Sequence, residues 1–150
     1  MTKPTPAVGP GVGVGAYLLR DGKVLMGLRT TGHASGVWAP PGGHVEFGES
    51  PAQTASREVA EETGLQVPAN AWRLRAVTND YFADNHTHYL TLALVANCSA
   101  GEPQVLEPHK LKEWRWFDIH KLPEPLMTSI TNALKAGLDL SVTTGIVTNC

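Results

Sequence analysis

The sequence of 150 residues predicts an α/β fold in which helices cover a sheet on both faces. Two observations support this. Segments of strand character lie before, between and after two segments of helical character, and the first helix carries clear start and stop signals. Such an order of elements favours a sheet sandwiched by helices. A chain of this length can build one core, so we expect a single domain over residues 11–150, after a flexible, Pro- and Gly-rich arm at residues 1–10.

The first strands are predicted from a turn signal. Asp21-Gly22 is a favoured two-residue hairpin sequence, and it separates segments of strand character at residues 12–20 and 23–29. A loop at residues 30–37 and a short strand at Trp38-Ala39 follow. The later elements are predicted as strands at 72–78, 88–96 and 113–117, a turn at 80–85, and a second helix at 125–136.

The first helix is bounded by residues that cap helices. Ser50 is a favoured N-cap, Pro51 suits the first helical position, and Gln53 completes a capping box with Ser50. Gly64 suits the left-handed conformation that follows a last helical turn. These signals predict a helix over residues 51–63.

Composition and charge exclude several classes of function. A formal net charge of −2 gives no basic surface for a nucleic-acid polymer. Cys98 and Cys150 form neither a disulfide framework nor a zinc-binding pattern. The chain has no apolar run of membrane-spanning length and no charged-then-apolar leader. We therefore expect a cytoplasmic protein that does not enter a membrane.

Three carboxylates crowd one face of the first helix. Glu58, Glu61 and Glu62 are spaced i, i+3 and i+4, so their side chains are neighbours and repel one another. A cation between them would offset that repulsion, and all-oxygen ligands favour Mg²⁺ or Mn²⁺. The alternative is a solvated acidic face, which gives Glu49 and the upstream glycines no role.

The segment from residue 43 to 65 resembles the Nudix box, G-x5-E-x7-R-E-U-x-E-E-x-G-U, where U is a bulky apolar residue. The defined positions are filled by Gly43, Glu49, Arg57, Glu58, Val59, Glu61, Glu62, Gly64 and Leu65. A chance match of the seven fixed residues is expected in roughly one of 10^8 windows. The chain therefore resembles the Nudix hydrolase superfamily, which implies an α/β/α sandwich with a mixed β-sheet.

Motifs outside the box resemble one branch of that superfamily. The branch contains nucleoside triphosphate diphosphatases related to mammalian oxidised-nucleotide and thiopurine-nucleotide hydrolases, and a plant enzyme that acts on isoprenyl diphosphates. The motifs lie at residues 11–15, 41–49, 79–80, 88–91, 107–110 and 114–116. The resemblance extends over about residues 10 to 137. Relatives are often homodimers, so a homodimer is expected here.

The resemblance implies a set of metal ligands. Glu58 and Glu62 match the principal ligands, and Glu61 matches a further or water-mediated ligand. Gly42 would offer its backbone carbonyl, and Glu107 matches a loop position where relatives supply another acidic group. For Glu107, a solvated loop residue is the alternative interpretation. The implied cofactor is Mg²⁺, for which Mn²⁺ can substitute.

The resemblance also implies catalytic roles for four residues. Glu58 would orient or deprotonate the attacking water, although the base differs among Nudix enzymes, and Glu61 is the neighbouring catalytic carboxylate. Arg57 would pair with Glu49 and hold the loop against the helix. An ordinary surface ion pair is the alternative for Arg57 and Glu49.

Four residues are predicted to contact the substrate. Arg29 ends a strand before the loop that faces the box and can grip a phosphate; a surface charge is the alternative. Gly43 and His44 occupy a substrate-contacting motif in relatives, although His44 can also face solvent. Thr91 matches a position in the nucleobase pocket of relatives, with a strand filler as its alternative.

One pair of residues departs from the branch. Relatives carry two aromatic residues where this chain has Met127 and Thr128. Met127 can pack on a ring, but Thr128 cannot stack. The resemblance therefore implies diphosphate cleavage without implying purine preference.

The function expected from these features is Mg-dependent hydrolysis of a diphosphate linkage in nucleoside diphosphates linked to a further group. The foremost reaction converts a (deoxy)nucleoside triphosphate to monophosphate and pyrophosphate, and the partner is a small molecule. One alternative is hydrolysis of a non-nucleotide or sugar-linked diphosphate, such as an isoprenyl diphosphate or ADP-ribose. A non-catalytic nucleotide sensor is less favoured, because the chain retains every box carboxylate.

Overall fold

The computed structural model describes residues 9–31, 35–83, 86–141 and 145–149. Residues 1–8 of the predicted arm, and Cys150, lie outside this range. The strands are β1 Gly11–Arg20, β2 Lys23–Arg29, β3 Trp38–Ala39, β4 Gly42–His44, β5 Arg73–Phe82, β6 Thr87–Asn97, β7 Leu111–Asp118 and β8 Val147–Thr148. The helices are α1 Pro51–Thr63 and α2 Thr128–Ala136, with a short 3₁₀ helix at Ala69–Ala71.

The described strands form one mixed sheet in the order β3-β2-β1-β6-β5-β8. β4 adds to β1, and β7 adds to β2. The pairs β1–β6 and β5–β8 are parallel, whereas the other pairs are antiparallel. β1 is therefore the central strand, because it contacts β2, β4 and β6.

The two helices cover opposite faces of the sheet, because side chains alternate in direction along β1. Val14, Ala16 and Leu18 pack in one core with residues of α1. Tyr17 belongs to a second core with residues of α2. Both faces of the strand are thus buried against a helix, which confirms the predicted α/β architecture.

The predicted caps of α1 are present. The Ser50 hydroxyl accepts a hydrogen bond from the Gln53 amide at 3.1 Å, and the Gln53 side chain accepts from the Ser50 amide at 2.8 Å. Gly64 has φ of 80°, a left-handed conformation that favours glycine. The helix therefore begins and ends where the sequence predicts.

The second helix begins three residues later than predicted. The Trp38 amide donates to the Pro125 carbonyl at 2.9 Å, and the Met127 amide donates to the Trp38 carbonyl at 3.0 Å. These bonds hold residues 125–127 extended beside β3, so α2 begins at Thr128. The prediction of helix at 125–127 was wrong because a distant strand claims that backbone.

The strand boundaries show two further differences. β4 and β8 were not predicted, since each is too short to show alternation. The turn predicted at residues 80–85 is shorter, because β5 continues to Phe82 and Asp80 pairs with Tyr89. Residues 84–85 of that turn, and 32–34 of the predicted loop at 30–37, lie outside the described residues.

Within the residues that the structure describes, neither helix is long and apolar enough to cross a membrane.

The capping box of α1 yields a test of stability. Ser50→Ala removes the acceptor for the Gln53 amide, so the free energy of unfolding should fall by about 1 kcal/mol, or about 2–4 °C in Tm. Ser99→Ala is the matched control, because Ser99 is exposed and carries no cap. Thermal unfolding of both variants decides: equal Tm values would contradict the capping role.

Candidate functional site

Two carboxylates of α1 are pressed against β4. The Gly42 amide donates to Glu62 Oε2 at 2.9 Å. A Cβ atom on Gly43 would overlap the carboxyl group of Glu58, so the missing side chain is what lets that group approach the strand. Glu61 faces outward instead, with 56% of its side chain exposed. The structure therefore brings Glu58 and Glu62 together at β4 and leaves Glu61 exposed to solvent.

Arg57 ties the loop before α1 to the helix. Its Nε and Nη2 atoms donate to the two carboxylate oxygens of Glu49 at 2.7 and 2.9 Å. Nη2 also donates to the His44 carbonyl at 3.1 Å, and Nη1 donates to Glu58 Oε1 at 2.8 Å. Two parallel hydrogen bonds between a guanidinium group and a carboxylate orient both groups and stabilise the ionised carboxylate. The Arg57–Glu49 pair expected from the sequence is thus formed, and it is more than a surface contact.

Arg57 supplies part of the positive charge that the acidic face needs. It lies within ion-pair distance of four carboxylates, those of Glu46, Glu49, Glu58 and Glu61. No such pair joins Arg57 to Glu62 among the described side chains. Glu62 thus remains without a direct cationic partner in the part of the chain that the structure describes.

The carboxylates of the cluster differ in their affinity for protons. Hydrogen bonds from Arg57 lower the pKa of Glu49 to about 2. Burial raises the pKa of Glu58, and Arg57 only partly opposes that rise. Burial, followed by repulsion from Glu58 and Glu107, raises the pKa of Glu62 to about 8. Glu49 is therefore held as an anion. The ionised forms of Glu58 and Glu62 are unfavourable and would be stabilised by a further positive charge nearby.

Two residues from other elements reach the same cluster. Glu107, Arg29 and Glu62 line a small cavity of about 30 Å³. Glu107 pairs with Lys110 at 3.2 Å and raises the pKa of both Glu58 and Glu62. The Nε atom of Arg29 is buried without a hydrogen-bond partner among the described residues. Both residues predicted from outside the box are thus adjacent to the α1 carboxylates.

A larger cavity of about 650 Å³ opens between the sheet and α2. Its lining includes the four residues predicted to contact substrate, which are Arg29, Gly43, His44 and Thr91. Arg29 lines this cavity and the small one beside Glu62. The ring of His44 stacks on Tyr89, with centroids 5.2 Å apart and planes inclined by 3°. The carboxylate cluster and the cavity therefore meet at Arg29 and β4.

Sequence reasoning missed several residues of this cavity. Asp80 was assigned to a turn, yet it lies in β5 and lines the cavity with Thr78. The alternation of Thr78, Asp80 and Phe82 along one strand face was the available signal. Met127 and Thr128, by contrast, were singled out from the sequence as a departure from the related branch, and both line the cavity.

The donor atoms of the cluster suit a hard divalent cation. Glu58, Glu62 and Glu107 offer only oxygen atoms as ligands. Oxygen ligands suit hard cations such as Mg²⁺ and Mn²⁺ better than softer metals, which prefer nitrogen or sulfur. Their mutual repulsion, seen in the raised pKa of Glu62, would be relieved by a bound cation. Across residues 9–31, 35–83, 86–141 and 145–149, no three Asp, Glu, His or Cys side chains already converge as a finished metal centre.

The fold and site define an α/β domain in which one helix holds a carboxylate cluster against a short strand, β4, that also lines a large cavity. The family profile of the NUDIX domain matches residues 9–136. The chain belongs to the Nudix family, which confirms the expected fold and the expected superfamily.

Relatives with assigned activities support the hydrolase assignment at the level of the family. ADP-ribose pyrophosphatase of Methanocaldococcus jannaschii is 30% identical over 115 residues, covering 77% of this chain and 66% of that protein. The oxidized purine nucleoside triphosphate hydrolase of Danio rerio is 30% identical over 106 residues, covering 71% of this chain and 65% of that protein. The chain thus spans slightly less than two thirds of each.

A solved structure gives the same result for the fold. The MutT NUDIX hydrolase from Burkholderia pseudomallei superposes with a TM-score of 0.78 at 33% sequence identity. The match covers 85% of this chain and 98% of that one. The expectation of a mixed sheet between helices in a Nudix fold is therefore confirmed.

The raised pKa of Glu62 predicts a pH-dependent stability in the absence of divalent cations. The pKa rises on folding from 4.5 to about 8, so the folded state holds the proton more tightly than the unfolded state. The contribution of Glu62 to stability is then fully present below pH 4.5 and declines as the pH rises toward 8. Glu62→Gln cannot ionise and should escape this decline.

Thermal unfolding in EDTA between pH 5 and 8.5 tests this. At pH 8 the Gln variant should exceed wild type by at least about 1 kcal/mol, or about 2–4 °C, because each pKa unit corresponds to ~1.4 kcal/mol. The advantage should shrink toward pH 5. Glu102→Gln, at a side chain that is 84% exposed, is the control. A difference that does not change with pH would contradict the assigned cause.

Proposed function

We propose that the chain is a metal-dependent hydrolase of diphosphate linkages in nucleoside diphosphates joined to a further group. The foremost reaction converts a (deoxy)nucleoside triphosphate and water to a monophosphate and pyrophosphate. One observation carries the proposal: the partly buried carboxylates of Glu58 and Glu62 contact Gly43 and Gly42 of β4, and those two glycines line the cavity of about 650 Å³. Arg29 lines that cavity and also the small one beside Glu62. A diphosphate beside β4 would lie between the acidic cluster and the rest of a bound molecule.

The cation site would be built on α1. Glu58 and Glu62 would be the principal ligands, with Glu107 and Glu61 completing the set directly or through water. Gly42 would contribute its carbonyl, while its amide already orients Glu62. Mg²⁺ is the proposed cation, with Mn²⁺ as a substitute. Such a cation, when bound, would supply charge neutralisation and Lewis-acid polarisation of the diphosphate.

The side chains around the cluster would position substrate and water. Arg29 has a buried Nε that lacks a partner among the described residues, so it is available to donate to a phosphate oxygen. Glu58 would orient the attacking water or accept its proton. Arg57 and Glu49 would hold the loop and the helix in register.

The substrate class has support from two sides. The Danio rerio relative is named for oxidized purine nucleoside triphosphates, which favours a triphosphate and the related branch. The Methanocaldococcus jannaschii relative is named for ADP-ribose, which makes ADP-ribose the second candidate. Both molecules carry a nucleoside on one side of a diphosphate, and the cavity of about 650 Å³ lies beside the proposed cation site.

The proposal also covers the organisation of the protein. We take residues 11–150 as one domain, because the described strands share one sheet with a core on each face.

We further propose a homodimer in solution, on the resemblance to the related branch. Light scattering on the purified protein would return a mass near twice 16.1 kDa; a mass near 16.1 kDa would refute the dimer.

A substrate panel tests the proposed reaction. Ordinary and oxidised nucleoside triphosphates, ADP-ribose, nucleotide sugars and prenyl diphosphates would each be incubated with Mg²⁺ or Mn²⁺, and the products separated by mass. The expected outcome is release of pyrophosphate and a monophosphate from triphosphates, abolished by EDTA. Nucleotide binding without any product would instead identify a sensor.

A single substitution tests the role of the acidic cluster. Glu58→Gln keeps the size of the side chain but removes its charge, so kcat should fall at least ~100-fold on the best substrate, since losing a few kcal/mol of transition-state stabilisation has that effect. Glu102→Gln makes the same change at an exposed site and should leave kcat unchanged. Activity of Glu58→Gln within twofold of wild type would refute the assignment.

A further inference from the structure

The far side of the large cavity carries a carboxylate that the proposed chemistry does not use. Asp80 lies in β5 with only 1% of its surface exposed, yet it lines the cavity. The Thr78 hydroxyl donates to its Oδ2 at 2.9 Å, and the Asn132 side-chain amide donates to its Oδ1 at 2.7 Å. A buried acid at the wall of a binding cavity is costly unless something satisfies it.

The known contacts of Asp80 leave acceptor capacity unused. A carboxylate has about four lone-pair sites, and two of them are taken by Thr78 and Asn132. No Lys, Arg or His within the described segments forms an ion pair with it. Each oxygen thus retains an acceptor site that the hydrogen bonds of the described residues do not use.

The sheet register places Asp80 well away from β4, where the proposed cation site lies. Thr78 of β5 is opposite Thr91 of β6, Thr91 is opposite Gly13 of β1, and Gly13 is opposite His44 of β4. Three strand spacings of about 4.8 Å separate the two ends of this row, roughly 14 Å in all. A molecule with its diphosphate beside β4 would thus turn its opposite end toward β5.

The middle of that row carries no bulky side chain, because one of its residues is Gly13. A Cβ atom on Gly13 would meet its nearest neighbours only at 4.0 Å, so local packing does not require glycine there. A side chain at this position would instead occupy the cavity, which Gly13 also lines. With Thr91 beside it, Gly13 leaves the space between β4 and β5 open for a ligand.

We propose that Asp80 is a specificity-determining residue that accepts hydrogen bonds from a nucleobase edge carrying two adjacent N–H donors, as guanine does at N1 and its 2-amino group. The two free acceptor sites of the carboxylate match such a pair of donors. Phe82 and Tyr89, which also line the cavity, offer aromatic surface for the ring where Thr128 cannot. This inference rests on the proposed function for the position of the diphosphate.

The same argument predicts weaker binding of other occupants of the cavity. An isoprenyl chain would cover the Asp80 carboxylate without offering a donor, leaving it desolvated and unpaired. Adenine would turn the lone pair of its N1 toward an acceptor. Hypoxanthine keeps the N1–H group but lacks the 2-amino donor, so it differs from guanine in one of the two proposed bonds.

A structural role is the competing explanation, because the Asn132 bond links Asp80 to α2. The experiment therefore compares two ligands on one protein, which cancels any loss of folded material. Binding of dGMP and dIMP would be measured by calorimetry, and kcat/KM would be compared for dGTP and dITP with Mg²⁺. Wild type should prefer the guanine compound by about 10–100-fold in both measurements.

Asp80→Asn places a donor where the proposal needs an acceptor, so the guanine preference should fall to within about threefold. Asp21→Asn is the matched control, because Asp21 lies in the exposed turn after β1 and should keep the full preference. If Asp80→Asn does not fold, the wild-type ratio still decides. Equal wild-type affinity for dGMP and dIMP, no binding of either, or an equal loss for both in Asp80→Asn, overturns the inference.

Failure of this inference is distinguishable from failure of the proposed function. Hydrolysis of triphosphates without discrimination between dGTP and dITP would leave the proposed function standing and remove the role of Asp80. Preferential binding of dGMP without hydrolysis of any diphosphate would do the reverse.

Discussion

The close approach of α1 to β4 is the constraint on which the site depends. A carboxylate can lie against a strand only where that strand has no side chain in the way, and Gly43 provides that gap for Glu58. The Gly42 amide then fixes Glu62 with a hydrogen bond of 2.9 Å. Because both contacts use the backbone of β4, the carboxylates keep their positions relative to the sheet and to the cavity on its other face.

One arginine gives neighbouring glutamates different properties. Arg57 donates two hydrogen bonds to Glu49, so that carboxylate stays ionised and holds the loop in place. Glu62 has no ion pair with Arg57, and burial raises its pKa to about 8. Residues of the same type thus divide between a structural task and a site for further positive charge, and the division follows from the reach of a single side chain.

The central strand joins the two halves of the candidate site. Alternate residues of β1 pack under α1 or face the cavity and α2. The acidic cluster is therefore built from one side of the sheet and the cavity from the other, with Arg29 lining both. This separation lets residues around α2, such as Met127 and Thr128, vary without disturbing the cluster on α1.

The sequence by itself determined the elements whose interactions are local. The caps of α1, the Asp21-Gly22 hairpin and the carboxylates on one helix face depend on neighbours within a few residues, so they could be predicted. The Nudix box likewise lies in one continuous segment. Its residues were therefore predicted together. The expected pairing of Arg57 with Glu49 is a direct hydrogen bond in the structure.

Only the tertiary structure decided the features that depend on distant partners. α2 begins at Thr128 because Trp38 binds the backbone at residues 125–127. Glu107 and Arg29 reach Glu62 from separate elements, and Asp80 lies in a cavity wall because β5 pairs with β6 beyond the expected turn. Strand register and helix docking bring Arg29, Glu62 and Glu107 together across 30 or more residues of chain, and neither composition nor local periodicity records such contacts.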